Sequence, residues 1–248
     1  MKNTKILIFL IICLTPLVSF KKALTFEPVV VLELFTSQGC SSCPPADRLL
    51  SKTISNAEAN GKKIVALSFH VDYWNYLGWK DPFSSKQFSQ YQGEYVNHFN
   101  LRSSYTPQIV VNGTREFVGS DEKALEKAIK ESLALESEVK FKNLNALFND
   151  KKELKVTYEL VGNCDKCTIH FALVSLSETT SIKRGENAGL NLTGHNIVKQ
   201  FISIKATEKG EVKFETNPLP TIGNRAIIAY LQNTYSFKII GAAQLKLN

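Results

Sequence analysis

The run Pro28-Val29-Val30-Val31-Leu32-Glu33-Leu34-Phe35, continuing into Thr36-Ser37-Gln38-Gly39-Cys40-Ser41-Ser42-Cys43-Pro44-Pro45-Ala46-Asp47, decides how the rest of the chain is read. Val29 to Phe35 is apolar and β-branched, as suits a strand covered on both faces of a parallel sheet. Thr36 to Cys40 is a polar, glycine-containing turn. Pro44 then opens a helix where a missing N–H is tolerated. A cysteine pair therefore lies between a buried strand and a helix N-terminus, whose N–H groups and positive potential favour a thiolate. Cys40, at the more exposed tip, is expected to be the nucleophile and Cys43 to resolve the mixed disulfide.

Downstream, Lys63 to Val71 reads as a second buried strand. Ser84 to Phe99 reads as a helix with Phe88, Tyr91, Tyr95 and Phe99 on its core stripe. Ile109 to Val111 and Glu116 to Val118 flank an Asn112-Gly113 hairpin turn. Asp121 to Leu135 is an amphipathic helix with acids in its first turn. This order makes residues 27–136 an α/β domain. Past Glu136 the texture changes to short alternating segments separated by Asn, Asp, Gly and Pro. They amount to about seven strands, which predicts an all-β, antiparallel sandwich-like domain over residues 137–248.

The partner feature of the cysteines is Tyr105-Thr106-Pro107-Gln108-Ile109. A proline opening a strand removes one N–H, and a cis bond there frees neighbouring backbone groups to pair with an extended substrate. Together with Glu33 to Asp47, His70-Val71-Asp72-Tyr73-Trp74 and Leu77-Gly78-Trp79-Lys80-Asp81-Pro82-Phe83, this pattern resembles the thioredoxin fold. It is similar, more closely, to the secreted thioredoxin-like proteins grouped as the domain of unknown function 1223 family. Arg184 to Gly189, with Asn196-Ile197-Val198 after it, looks like that family's C-terminal signature. The resemblance implies a thioredoxin-like domain with a CxxC pair and a cis-proline loop, and supplies no substrate.

The N-terminus explains two oddities of composition. Lys2 and Lys5, an apolar run from Ile6 to Leu14, and small or polar residues to Ala23 make residues 1–23 a secretory signal peptide. That run is too short to span a bilayer, so no stable membrane span is expected after cleavage. Its removal takes four lysines and Cys13. The formal charge of +7 falls to +3, and five cysteines become an even four. The remaining Lys and Arg are scattered, which argues against nucleic acid as a partner. An exported location, periplasmic or extracellular, permits disulfides.

The expected function is an exported thiol–disulfide oxidoreductase with Cys40 and Cys43 as catalytic pair, and with Thr106, Pro107 and Trp74 binding substrate. Glu33, His70 and Asp72 are auxiliary candidates. In thioredoxins a buried acid near the position of Glu33 assists proton transfer, but a shift of one strand position puts Glu33 on the opposite face. The partners implied are protein thiols or disulfides and a further redox partner; no cofactor and no metal is required. Cys164 and Cys167 read as a structural disulfide clamping a hairpin, with an electron relay to the first pair as a rival. Arg184, Glu186, Asn187 and Asn196 are expected to knit a long loop, which would shape a cleft if it lay against the CxxC edge. The alternative class is a non-catalytic envelope binding module, or a copper carrier using Cys40, Cys43 and His70, since soft thiolates suit Cu(I).

Overall fold

β1 (Val30–Thr36) is buried at all seven positions and organises its surroundings by alternation. Val30, Leu32 and Leu34 point to one face and Val31, Glu33 and Phe35 to the other. The computed structural model describes residues 24–148, 153–162, 164–215 and 223–247. The expected signal segment, residues 1–23, lies outside them. Among the described residues no helix is long and apolar enough to cross a membrane.

β2 (Ile64–His70) runs parallel to β1, and β3 (Gln108–Val111) antiparallel to it, with β4 (Arg115–Val118) completing a hairpin on β3. α1 (Pro44–Ala59) and α3 (Glu122–Ser132) cover one face, where Leu32 and Leu34 meet Ala46, Leu50, Leu125 and Ala128. α2 (Lys86–His98) covers the other, where Phe35 and Phe69 meet Phe88, Tyr91 and Tyr95. The Asp121 side chain caps α3 by accepting the Ala124 N–H at 3.0 Å, and Ser85 caps α2 through Gln87.

Seven further strands follow: β5 (Lys140–Phe148), β6 (Leu154–Val161), β7 (Cys167–Ser181), β8 (Asn191–Lys205), β9 (Lys209–Phe214), β10 (Arg225–Asn233) and β11 (Ile239–Leu247). Four of them extend the first sheet instead of forming a sheet of their own. The result is eight strands in the order β11-β10-β7-β8-β2-β1-β3-β4. The join is narrow. Ser68 pairs with Ile197, the Ser68 hydroxyl donates to the His195 carbonyl at 2.8 Å, and the Asn196 amide donates to the Ala66 carbonyl at 2.9 Å. Strands β5, β6 and β9 form a second sheet, whose Leu154, Val156 and Phe214 pack on Ile169, Phe171, Ile227 and Ala229 of β7 and β10. The sandwich is therefore present, but one of its sheets continues into the α/β region. The molecule is mixed α/β, mostly β, and dominated by one large sheet. Alternation along each segment set its faces; it held no information about which strand would lie beside it.

One apolar cluster crosses the join, from Phe35, Phe69 and Tyr91 to Ala172, Val198, Phe201 and Tyr230. Phe69 stacks edge-on against Phe201 at 5.1 Å between centroids. Phe69→Ala is expected to cost about 3–5 kcal/mol. It should lower a single calorimetric transition; two transitions, only one of them shifted, would contradict a shared core.

Candidate functional site

β1 delivers the chain to Thr36, and the loop from Ser37 to Ser42 carries it to Cys43, the N-cap of α1. The Cys40 N–H donates to the Ser37 carbonyl and the Cys43 N–H to the Cys40 carbonyl, each at 3.2 Å. Cys40 and Cys43 are joined as a disulfide with their Cα atoms 5.5 Å apart. The Thr106–Pro107 bond is cis and lies against them, with the Thr106 carbonyl 3.9 Å from Cys40 Sγ. The indole N–H of Trp74 donates to Thr106 Oγ1 at 2.7 Å. Trp74 also explains Gly39, since a Cβ there would stand 3.2 Å from the Trp74 Cβ. The structure thus brings Cys40, Cys43, Trp74, Thr106 and Pro107 into one site.

Two features differ from the sequence reading. Pro44 and Pro45 fill the first two helical positions, and the Ala46 and Asp47 N–H groups both go to the Cys43 carbonyl. No first-turn N–H is left to face the sulfurs, so the helix end offers them less than expected. Nor is Cys40 an exposed tip: it is 1% accessible, and Cys43 is 0%.

The connection between β7 and β8 reaches the loop that carries Cys40. Asn187, itself buried, donates from Nδ2 to the Gln38 carbonyl at 2.9 Å and the Cys40 carbonyl at 3.0 Å. Glu186 accepts the Ser41 N–H at 3.1 Å. Gly185, with φ +78°, rests on Trp79, where a Cβ would lie 3.2 Å from the Trp79 Cβ. The loop from Arg184 to Gly189 therefore lies on the CxxC edge, while Asn196 serves the sheet join instead. These contacts bridge nearly 150 positions, and only the family signature pointed to the segment.

Beneath the loop lies a polar nest on the α1 side of the sheet. Asp81 accepts the Gln38 N–H at 2.8 Å, the Phe83 N–H at 2.9 Å and His70 Nδ1 at 2.7 Å. Burial pushes the Asp81 carboxyl up, but the His70 charge and these donors hold it below its ordinary value. Burial likewise works against a charged His70, and the Asp81 carboxylate outweighs it, so the imidazole pKa is raised. His70 Nε2 is buried without a hydrogen-bond partner among the described residues. Asp47, one turn after Cys43, accepts the Thr36 hydroxyl at 3.3 Å. Burial raises its pKa to about 6, against the pull of His70. Asp47, Asp81 and Gln38 were quoted only as motif letters in the sequence; Asp47 lies at i+4 from Cys43, the spacing that could have marked it.

Other candidates lie elsewhere. Glu33 faces away from α1 into the core over α2, and its carboxylate accepts the hydroxyls of Tyr91 and Tyr230 at 2.8 Å and of Tyr95 at 2.6 Å. Burial raises its pKa more than the three hydroxyls lower it. Asp72 accepts the Ser89 hydroxyl at 2.5 Å and so ties down α2. Half-buried Cys164 and Cys167, the first residue of β7, form the second disulfide, Cα atoms 5.7 Å apart; β6 and β7 lie in different sheets, so it spans a crossover and not the expected hairpin. That crossover is also held by the Thr234 N–H and hydroxyl on the Lys166 carbonyl and by the Ala206 N–H on the Cys167 carbonyl. Among the described residues no three His, Cys, Asp or Glu side chains are grouped as a metal centre, so the copper reading gains no support.

The family described as "Protein of unknown function (DUF1223)" matches residues 31–232. A crystal structure of an Agrobacterium tumefaciens protein from a structural genomics consortium is 28% identical, with a TM-score of 0.68 over 90% of this chain and 96% of that one. HBP35 of Porphyromonas gingivalis is 15% identical, with a TM-score of 0.66 over 90% of this chain and 76% of that one, a likeness of fold alone. No curated protein matches the chain.

Two substitutions separate these acids. An acid whose pKa is raised on folding binds more protons in the native state, so stability falls as pH rises from about 4, the unfolded value, to about 6. Asp47→Asn removes that loss. It should be more stable than the parent above pH 6, by about 1–2 kcal/mol given the partial exposure of Asp47, with the gain gone below about pH 4 in urea titrations. Glu33→Ala strands three tyrosine hydroxyls and leaves a cavity, and is expected to cost about 2–5 kcal/mol. Its disulfide should keep the parent's rate of reduction; a changed rate would return Glu33 to the site.

Proposed function

The chain belongs to the DUF1223 family of proteins of unknown function, and from its site we propose that it is an exported thiol–disulfide oxidoreductase built on a thioredoxin-like fold. The observation that carries this reading is the Cys40–Cys43 disulfide between the end of β1 and the start of α1, set against the cis Thr106–Pro107 bond. The order β1-α1-β2-α2-β3-β4-α3, with β1 between parallel β2 and antiparallel β3, supports the thioredoxin-like assignment. Export is supported by the basic and apolar residues 1–23, and by the pairing of all four cysteines beyond them.

In the oxidising direction a client thiolate attacks Cys40 Sγ, the S–S bond breaks, and Cys43 leaves as a thiolate that takes up a proton. A second client thiolate then attacks the client sulfur of the mixed disulfide. Cys40 departs as a thiolate, the client gains a disulfide, and the pair is left reduced by two electrons. The reverse sequence reduces a client. Thr106, at the cis bond, and Trp74, which fixes its hydroxyl, border the place where the client's sulfur arrives.

Cys40→Ser is expected to abolish turnover, and Cys43→Ser to accumulate a mixed disulfide visible by mass spectrometry. If the reduced protein cannot reduce insulin and the oxidised protein cannot oxidise a dithiol peptide, the enzymatic reading fails. The mature envelope form should begin near residue 24 by intact mass; a full-length chain confined to the cytoplasm would overturn export.

A further inference from the structure

The segment that reaches the Cys40 loop bonds to backbone and not to side chains. Asn187 donates to two carbonyls, those of Gln38 and Cys40, and Glu186 accepts one N–H, that of Ser41. These are backbone groups of the turn that carries Cys40, the place a polypeptide engaging that cysteine must reach. Ser41 and Ser42 are themselves exposed, while Cys40, whose carbonyl the strap holds, is 1% accessible. Residues 186–188 lie between Gly185 (φ +78°) and Gly189 (φ +87°), conformations that only glycine adopts without strain. The strap carries its own bonds as well: the Ala188 N–H on the Gly185 carbonyl and the Gly189 N–H on the Ile182 carbonyl. It is thus a short unit whose attachment to the redox loop consists of few contacts.

We propose that Asn187 and Glu186 occupy the place of a client segment, and that exchange at Cys40 requires an extended, cysteine-bearing polypeptide to displace them. Such a client replaces the Asn187 amide with backbone N–H donors to the Gln38 and Cys40 carbonyls, and replaces the Glu186 carboxylate with a carbonyl acceptor for Ser41. Asn187 is in this sense a positioning and specificity residue: it touches the loop, not the sulfur. The inference rests on the oxidoreductase reading for its client, but its structural part, closure of the disulfide by the strap, can be measured without any client.

The experiment is reduction of the oxidised full mature protein by dithiothreitol, quenched by alkylation and read pair by pair through peptide mass. Cys164–Cys167 is the reference within the same molecule, because Cys164 is less buried than Cys40 or Cys43 and no strap bond reaches it. In Asn187→Ala two hydrogen bonds are lost, and reduction of Cys40–Cys43 should accelerate by about tenfold or more while Cys164–Cys167 keeps its rate. Glu186→Ala, which removes one acceptor and leaves Asn187 in place, should accelerate the first pair by a smaller factor and serves if the Asn187 variant fails to fold. An unchanged Cys40–Cys43 rate in a folded variant, or equal acceleration of both pairs, overturns the proposal. If the selective acceleration appears but neither parent nor variant exchanges with insulin or a dithiol peptide, strap closure is supported and the oxidoreductase reading is what fails.

Discussion

The structure depends on one narrow seam, the pairing of β2 with β8 at Ser68 and Ile197. A single ladder contact would be weak by itself. It is reinforced because Asn196, at φ +47°, turns its amide onto the Ala66 carbonyl while Ser68 bonds the His195 carbonyl. Asparagine tolerates that left-handed backbone better than most residues. The seam sets two things at once. It merges the strands after residue 136 with the α/β sheet, and it aims the long β7–β8 hairpin so that its connection reaches the CxxC loop.

Burial of polar groups follows the same geometry on both faces of β1. Leucines and Thr36 look toward α1, and Thr36 meets Asp47, beside the His70–Asp81 pair. Glu33, three positions earlier, looks toward α2 and finds three tyrosines. A buried carboxyl needs donors or a cation, and each face supplies a different solution. Three hydroxyls satisfy Glu33, whereas an imidazole balances the acids beneath the CxxC loop.

Much of the local architecture was legible because it is set by neighbours in sequence. The apolar run before Cys40, the prolines after Cys43, the Asn112-Gly113 turn and the alternating segments past Glu136 each carry their conformation in their own composition. The helical stripe Phe88, Tyr91 and Tyr95 was legible as core, but the hydroxyls of Tyr91 and Tyr95 were not legible as ligands of Glu33. That role exists only because Tyr230, from a distant strand, closes the same cluster. The bonds that residues 186 and 187 make to the Cys40 loop were hidden for the same reason.

The sequence by itself determined the elements, their buried faces and the cysteine spacing, since these follow from periodicity and steric preference within short windows; the cis bond at Pro107 came from the family resemblance and not from those preferences. Tertiary structure alone decided that the second group of strands joins the first sheet, that Tyr230 closes the cluster around Glu33, and that Asn187 reaches the Gln38 and Cys40 carbonyls. Those outcomes require hydrogen-bond partners more than a hundred residues apart. A one-dimensional pattern shows that a group must be satisfied; only the folded chain shows by what.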